Sequence, residues 1–436
     1  MERESNHILI PVIIGVVLIL VLAFFLPARP VNRHTDFEPE KTEINLVYAY
    51  QNSQWNACME EVIRRFEADH PDIDVQYEIR YEDRVYDDVL NKLAARNELG
   101  DIVQIKEPYA WAESGLLAPL PEELASKIGT TCTVNGQTYG VCALGTTTGV
   151  VYNKALFAQL NLSVPETYEE FLNLCETLKR NGVTPLGVSG KDLWHFEYWM
   201  NHFLRADVLT VEPNFLALCN TGARDWNDPL IGTMLTHLNE LFQKGYVAET
   251  WPATPDAALA YHVAEQEVAM VFSGPWLAAD AMALNSGLQL GWFYVPNTSG
   301  TVIAGENLDV FWTVTEGCSQ DEKRYEAAVA FLTYFYSEDI YNWIYTSMMG
   351  YSTLTDGGSY AGPAQGVRAD VTQAHSSADL HFRAYVGDEN TPPGFEKKLL
   401  TLLSQMCAGQ LRVEEVQIAA CQAWAECLGQ EVAYVR

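Results

Sequence analysis

Basic residues are scarce in this chain of 436: 27 lysines and arginines stand against 57 aspartates and glutamates, a formal net charge of −30. A field of that sign repels phosphate backbones, which excludes nucleic acid as a partner. It attracts cations and leaves neutral solutes unaffected. The signatures of catalysis are missing too. There is no G-x-S-x-G elbow, no phosphate-binding G-x-x-x-x-G-K-[ST] or G-x-G-x-x-G loop, and no H-E-x-x-H. No cofactor and no metal is expected. Paired carboxylates could cleave glycosides, but with 57 acids chance pairs carry little signal. The nine cysteines include no C-x-x-C, which removes zinc ribbons and thioredoxin-type sites. Nine is odd, so at least one is unpaired within the chain. Cys421 and Cys427 sit six apart in a helical pattern and are poorly placed to pair. Most of the cysteines read as small buried apolar side chains. Internal repeats and low-complexity tracts are also absent.

What is present is apolar: 48% hydrophobic residues, 11 tryptophans and 22 tyrosines, against 19% charged residues. That composition can build a globular core and argues against disorder. "ILIPVIIGVVLILVLAFFL", Ile8–Leu26, runs 19 residues without a charge, about one bilayer core at ~1.5 Å per residue. Residues 1–28 therefore read as a membrane anchor or a signal, with the anchor favoured because Leu26-Pro27-Ala28 is a poor cleavage site. Charge does not orient it: Arg3 precedes the run, and Arg29 and Arg33 follow. Residues 29–42, with Pro30 and Pro39, read as a linker.

Beyond the linker, strand and helix patterns alternate. "EINLVYAY" is β-rich. Met59, Val62, Ile63 and Phe66 fall at helical spacing, and Pro71 ends that helix. "DIDVQYEIR" alternates as a strand, Tyr86, Val89, Leu90 and Leu93 repeat the helical period, and "GDIVQIKE" is a third strand. This order predicts a parallel α/β layer. "TCTVNGQTYGVC" is a hairpin turning at Asn135-Gly136, in a register that places Cys132 opposite Tyr139 and not Cys142. Thr167 and Glu170 form a capping box ahead of a helix with Phe171, Leu174, Cys175 and Leu178 as its stripe. "TPLGVSG" and "DVFWTVTEG" are later strands. Helices follow at Tyr325–Tyr336 and in the tail, where Val413, Val416, Ala420 and Trp424 line one face.

Six segments in this order carry a family resemblance. They are "INLVYAY…VIRRFEADHPDIDVQYE", "DIVQIKEPYAWAESGLLAPL", "NGQTYGVCALGTTTGVVYNKALFAQLNL", "VPETYEEFLNLCETLKRNGVTPLGVSG", "AEQEVAMVFSGPW" and "EKRYEAAVAFLTYFYSEDIYNWIY". The chain resembles the extracellular solute-binding proteins of ABC importers, in the sugar-binding family that includes maltose-binding protein. The resemblance implies a type II periplasmic-binding-protein-like fold: two α/β lobes with a hinge and a central cleft. One lobe would hold 43–148 plus 310–352 and the other 149–305 plus 356–436, with crossings near Val150, Asp309 and Tyr351. It also implies export, a carbohydrate ligand, an ABC permease as membrane partner, and a monomer. Many members are lipoproteins, whereas this chain has no lipid-accepting cysteine directly after its apolar run.

Sugars are held by aromatic faces and by hydrogen-bonding side chains at strand ends. The candidates after the first strand are Gln51, Asn52 and Trp55. Glu107 and Tyr109 follow the third strand, and Thr146 and Thr147 precede the crossing. Trp194 and Phe196 stand where the family offers an aromatic platform, and Trp276 follows the Gly274-Pro275 turn. Glu306, Asn307 and Asp309 mark the second crossing. For each, plain packing is the rival reading. Three other functions stay open: a polyamine or cation binder, a solute sensor for a membrane kinase, and a surface glycosidase.

Overall fold

The computed structural model describes residues 41–49, 53–80, 86–106, 108–308, 310–355, 366–388 and 390–429. The apolar run Ile8–Leu26 and the linker up to residue 40 lie outside them. No helix among the described residues is long and apolar enough to cross a membrane.

The chain begins β1 (Thr42–Ala49), α1 (Ser53–Asp69), β2 (Ile73–Arg80), α2 (Tyr86–Arg96) and β3 (Ile102–Lys106). Two-residue β4 (Leu117–Ala118) and the hairpin β5 (Thr131–Val134) and β6 (Gln137–Cys142) follow, then the crossing strand β7 (Thr146–Asn153). Next come α3 (Tyr168–Arg180), β8 (Thr184–Gly187), α4 (Leu193–Phe203), α5 (Pro229–Gln243), β9 (Val268–Ser273), α6 (Trp276–Leu284) and β10 (Leu290–Phe293). The remainder is β11 (Ile303–Asn307), β12 (Val310–Thr315), α7 (Glu322–Phe335), α8 (Glu338–Ser347), α9 (Val367–Ser377), β13 (Leu380–Phe382), α10 (Phe395–Cys407) and α11 (Val413–Cys427). Shorter helices connect these.

Two sheets result. The first has seven strands in the order β2-β1-β3-β12-β6-β5, with β4 beside β12. Strands β2, β1 and β3 are parallel, as the strand–helix alternation predicts. The second has six strands in the order β13-β11-β7-β9-β8, with β10 beside β7. Alternation along each strand feeds a core on each face. In β1, Ile44, Leu46 and Tyr48 join the core shared with Trp55, Phe66 and Phe331, whereas Val47 and Ala49 join Tyr86 and Leu90. In the second sheet, Met270 and Phe272 pack on the α4–α5 side, and Val271 packs on the opposite face with Leu277.

The described ends of the passages between the sheets lie side by side. The segment from Ala143 to Thr146 lies in the middle. Ala143 N–H donates to Val310 C=O (2.9 Å), Thr146 pairs with Asn307, and Gly145 and Tyr351 exchange two backbone bonds (3.2 and 2.8 Å). The second sheet's ladder thus starts at Thr146, ahead of Val150.

Local chemistry accounts for the finer features. Asn135 and Gly136 both have positive φ (51° and 80°), the primed turn that matches strand twist. A bulge between Cys132 and Thr133 shifts the ladder, so Cys132 faces Gly140 and not Tyr139. None of the nine cysteines forms a disulfide, and seven of them are buried. At α3 the Thr167 side chain caps the Glu170 N–H (3.1 Å), while the Glu170 carboxylate accepts from Glu166 N–H (2.8 Å) instead of closing the box on Thr167.

Candidate functional site

Parallel strands β8 and β9 end at the same edge of the second sheet. Each is followed by a turn and a helix, and those helices bring aromatic side chains together. At the end of β9, Gly274-Pro275 stops the strand and Trp276 opens α6. Its ring folds back across Gly274, where an added Cβ would lie 2.0 Å from the indole. Glycine is therefore required for the ring to stand where it does. From α4, Tyr198 meets Trp276 edge-on (centroids 6.4 Å, 63°) and Trp194 meets Tyr198 at 5.8 Å and 81°. All three rings are half-buried.

The platform is braced from behind. His195 is fully buried beneath Trp194 and Tyr198, with Nδ1 2.8 Å from Asp256 Oδ1. Asp192 accepts the Asp256 N–H (2.7 Å), which ties the loop after β8 to residues 254–256. Trp251 covers Gly190, again at a distance only glycine allows.

The expected residues separate into several groups. Trp194 and Trp276 come together. Tyr198 joins them and was not singled out, although it lies one helical turn from Trp194. Two candidates belong to the core instead. Trp55 is fully buried and stacks on Trp312 (6.3 Å, 20°), because the α1 face that carries Met59, Ile63 and Phe66 turns inward from its first residue. Phe196 is fully buried against Phe242 and Trp251, on the α4 face that also carries Trp199, Met200 and Phe203. Tyr109 is exposed at the end of β3 on the first sheet. Gln51, Asn52, Glu107 and Asp309 lie outside the described residues.

The others sit at the crossings. Thr147 is buried, and its hydroxyl donates to Gly305 C=O (2.8 Å) and contacts the Tyr294 hydroxyl (2.7 Å). Thr146 and Asn307 are ladder partners and half-buried. Glu306 lies 3.3 Å from His381 Nδ1 and 3.4 Å from Arg383 Nε. Behind β11, Arg205 is buried at the start of a π-helical turn (Leu204–Leu209). Its Nε donates to Ala384 C=O (3.1 Å), and its guanidinium lies on the Gly305 α-carbon. Burial pushes Arg205 down to about 10, against the nearby Glu197 and Glu306 carboxylates that favour its charge. Burial likewise lowers His375, with His381 adding to the effect.

A separate groove of about 630 Å³ lies between α5 and α11, lined by Thr233, Thr236, Arg412 and Gln417 among others. It has no aromatic face and lies between helices instead of at strand ends, so the aromatic platform is the better candidate.

A family model described as bacterial extracellular solute-binding protein matches residues 61–363. The chain belongs to this family. The multiple sugar-binding protein of Streptococcus mutans is 23% identical to it over 283 residues, 61% of this chain and 65% of that one. The matched region is thus just under two thirds of that relative's length. Among solved structures, a chitin oligosaccharide binding protein superposes with a TM-score of 0.78 at 22% identity, covering 90% of this chain and 100% of that one. The solute-binding protein RafE in complex with raffinose gives 0.73 at 20%, covering 89% and 100%. The architecture is the mixed α/β, two-lobed fold of these solute-binding proteins, and the family is one of binding proteins.

Proposed function

We propose that this solute-binding protein is the extracytoplasmic receptor of an ABC importer and holds an oligosaccharide between its lobes. The observation that carries this reading is the half-buried set Trp194, Tyr198 and Trp276, gathered at the ends of β8 and β9. Flat aromatic faces suit the C–H faces of sugar rings, and strand ends are where open α/β sheets hold ligands. Tyr109 is the candidate contact from the first lobe, and Gln51, Asn52 and Glu107 are further candidates from the sequence. Thr146 and Asn307 offer polar groups along the hinge, and Asp309 is a further candidate from the sequence. The lobes are 43–148 plus 310–352 and 149–305 plus 356–436. Ligand contacts from both stabilise a closed form that a membrane permease recognises. No bond is made or broken by this monomeric chain. The apolar run Ile8–Leu26 supports tethering to the membrane through the linker 29–42.

Relatives that bind raffinose and chitin oligosaccharides define the first ligands to try. A thermal-shift screen over these sugars and spermidine tests the reading. A sugar at about 100 times its Kd adds ~2.7 kcal/mol of stability, which moves the melting point by several degrees. Spermidine shifting it while every sugar fails contradicts the carbohydrate assignment, as does turnover of an aryl glycoside.

A further inference from the structure

Strands β11 and β13 run parallel, with Ala304 opposite His381. Glu306 lies two residues beyond Ala304, so its side chain emerges on the same sheet face as His381, diagonally adjacent. The carboxylate Oε1 and imidazole Nδ1 are 3.3 Å apart. His375 arrives from the last turn of α9, its ring 4.7 Å from that of His381 and nearly perpendicular to it. One carboxylate oxygen and one nitrogen from each ring all lie within 4.8 Å of one another.

A chain of hydrogen bonds orients His375. Gly305 C=O can only accept, so the Thr147 hydroxyl donates to it (2.8 Å). Thr147 Oγ1 then accepts from the Tyr294 O–H (2.7 Å). With its proton so used, the Tyr294 oxygen accepts from His375 Nδ1–H at 3.3 Å. The neutral ring is left with its lone pair on Nε2. Protein partners fix metal-ligating histidines in this way. Tyr351 stacks on the same ring (4.7 Å, 20°) and holds its plane.

We propose that Glu306, His375 and His381 form a site for one divalent transition-metal ion, with zinc the best match. Two imidazoles and a carboxylate are a zinc donor set that leaves a fourth position for water, whereas calcium and magnesium require oxygen ligands. Tetrahedral ligands at about 2.0–2.2 Å from zinc sit roughly 3.3–3.5 Å apart. The Glu306–His381 spacing of 3.3 Å already meets this, and His375, within 4.8 Å of both, has at most about 1.5 Å to close. Two cations oppose the ion. Arg205 is fixed behind the strand. Arg383, 3.4 Å from Glu306, has a side chain that is 61% exposed and is able to turn into solvent. The ion joins the crossing strand β11 to α9 and β13, so it stiffens one of the passages between the lobes. The site does not depend on what the cleft binds.

The test is a titration of tag-free wild-type protein with zinc chloride in competition with a chromophoric chelator. The expected result is one equivalent bound with a Kd of about 10 µM or tighter, undisturbed by millimolar calcium or magnesium. His381→Ala, on a half-exposed edge position, weakens binding about 10–100-fold, as do His375→Ala and Glu306→Gln. Arg383→Ala strengthens it. Zinc raises the melting point of the wild type but not of His381→Ala. Should His375→Ala fail to fold by circular dichroism, His381→Ala and Glu306→Gln decide. No binding at 10 µM, or equal affinity in those two variants, overturns the proposal.

Discussion

Gly274 decides where Trp276 can stand, since any side chain there would occupy the space of the indole. Gly274→Ala is expected to displace the ring and weaken sugar binding about tenfold or more, measured by calorimetry, while circular dichroism stays that of the wild type. His202 makes a different point. It is buried among Trp199, Phe203 and Phe272, and burial, with Arg205 and His237 nearby, pulls it down to about 3. The unfolded chain takes up this proton as pH falls through about 6.5, and the folded chain resists until about 3. Stability present above pH 6.5 is therefore lost progressively towards pH 3, by an amount on the order of a few kcal/mol. His202→Phe should flatten urea-unfolding stability between pH 6 and 4; an unchanged slope would contradict the assignment. At this scale the sequence was informative where punctuation forced geometry. Gly274-Pro275 announced that Trp276 would follow a turn. Trp55, expected to bind because it follows a strand end, and Phe196, expected from the family's platform region, are both buried in the core, where helical phase places them. Their neighbours one turn on, Met59 and Met200, already marked an inward face.

The elements themselves were largely legible, because period-2 and period-3.6 patterns in β1–α1–β2–α2–β3 are set by burial on defined faces. The capping threonine of α3 was legible for a similar reason, being a local donor–acceptor match. The crossings were less so. Their order along the chain followed from the resemblance, but their mutual contact depends on non-local pairing. Gly145 and Gly350 show how tight that contact is. A Cβ on Gly350 would lie 2.6 Å from the Gly145 carbonyl oxygen, which is backbone and cannot swing aside. Gly350→Ala is therefore expected to destabilise the fold by about 1–3 kcal/mol, read as a lower urea midpoint. The cluster at Glu306 was invisible in the sequence for the same non-local reason. Glu306, His375 and His381 have no ligand spacing, and only the β11–β13 register brings them together.

For the molecule as a whole, the charge of −30 offers a direct discriminator. A neutral sugar has no net Coulomb interaction with that field, so its Kd should stay constant between 50 and 500 mM salt. A polyamine's Kd should weaken markedly as the Debye length shrinks from about 14 to 4 Å. The lobed fold was readable from the joint order of six degenerate segments, each weak alone. The ligand was not, since its identity is set by a few side chains at strand ends whose neighbours come from distant parts of the chain. The most direct test of the central claim is calorimetric titration of the best-shifting oligosaccharide into wild-type protein and Trp276→Ala. The account predicts a 1:1 complex whose Kd rises about 10–100-fold in the variant, roughly 1.4–2.8 kcal/mol, with a melting point near that of the wild type. Undiminished affinity in a folded Trp276→Ala protein would contradict it.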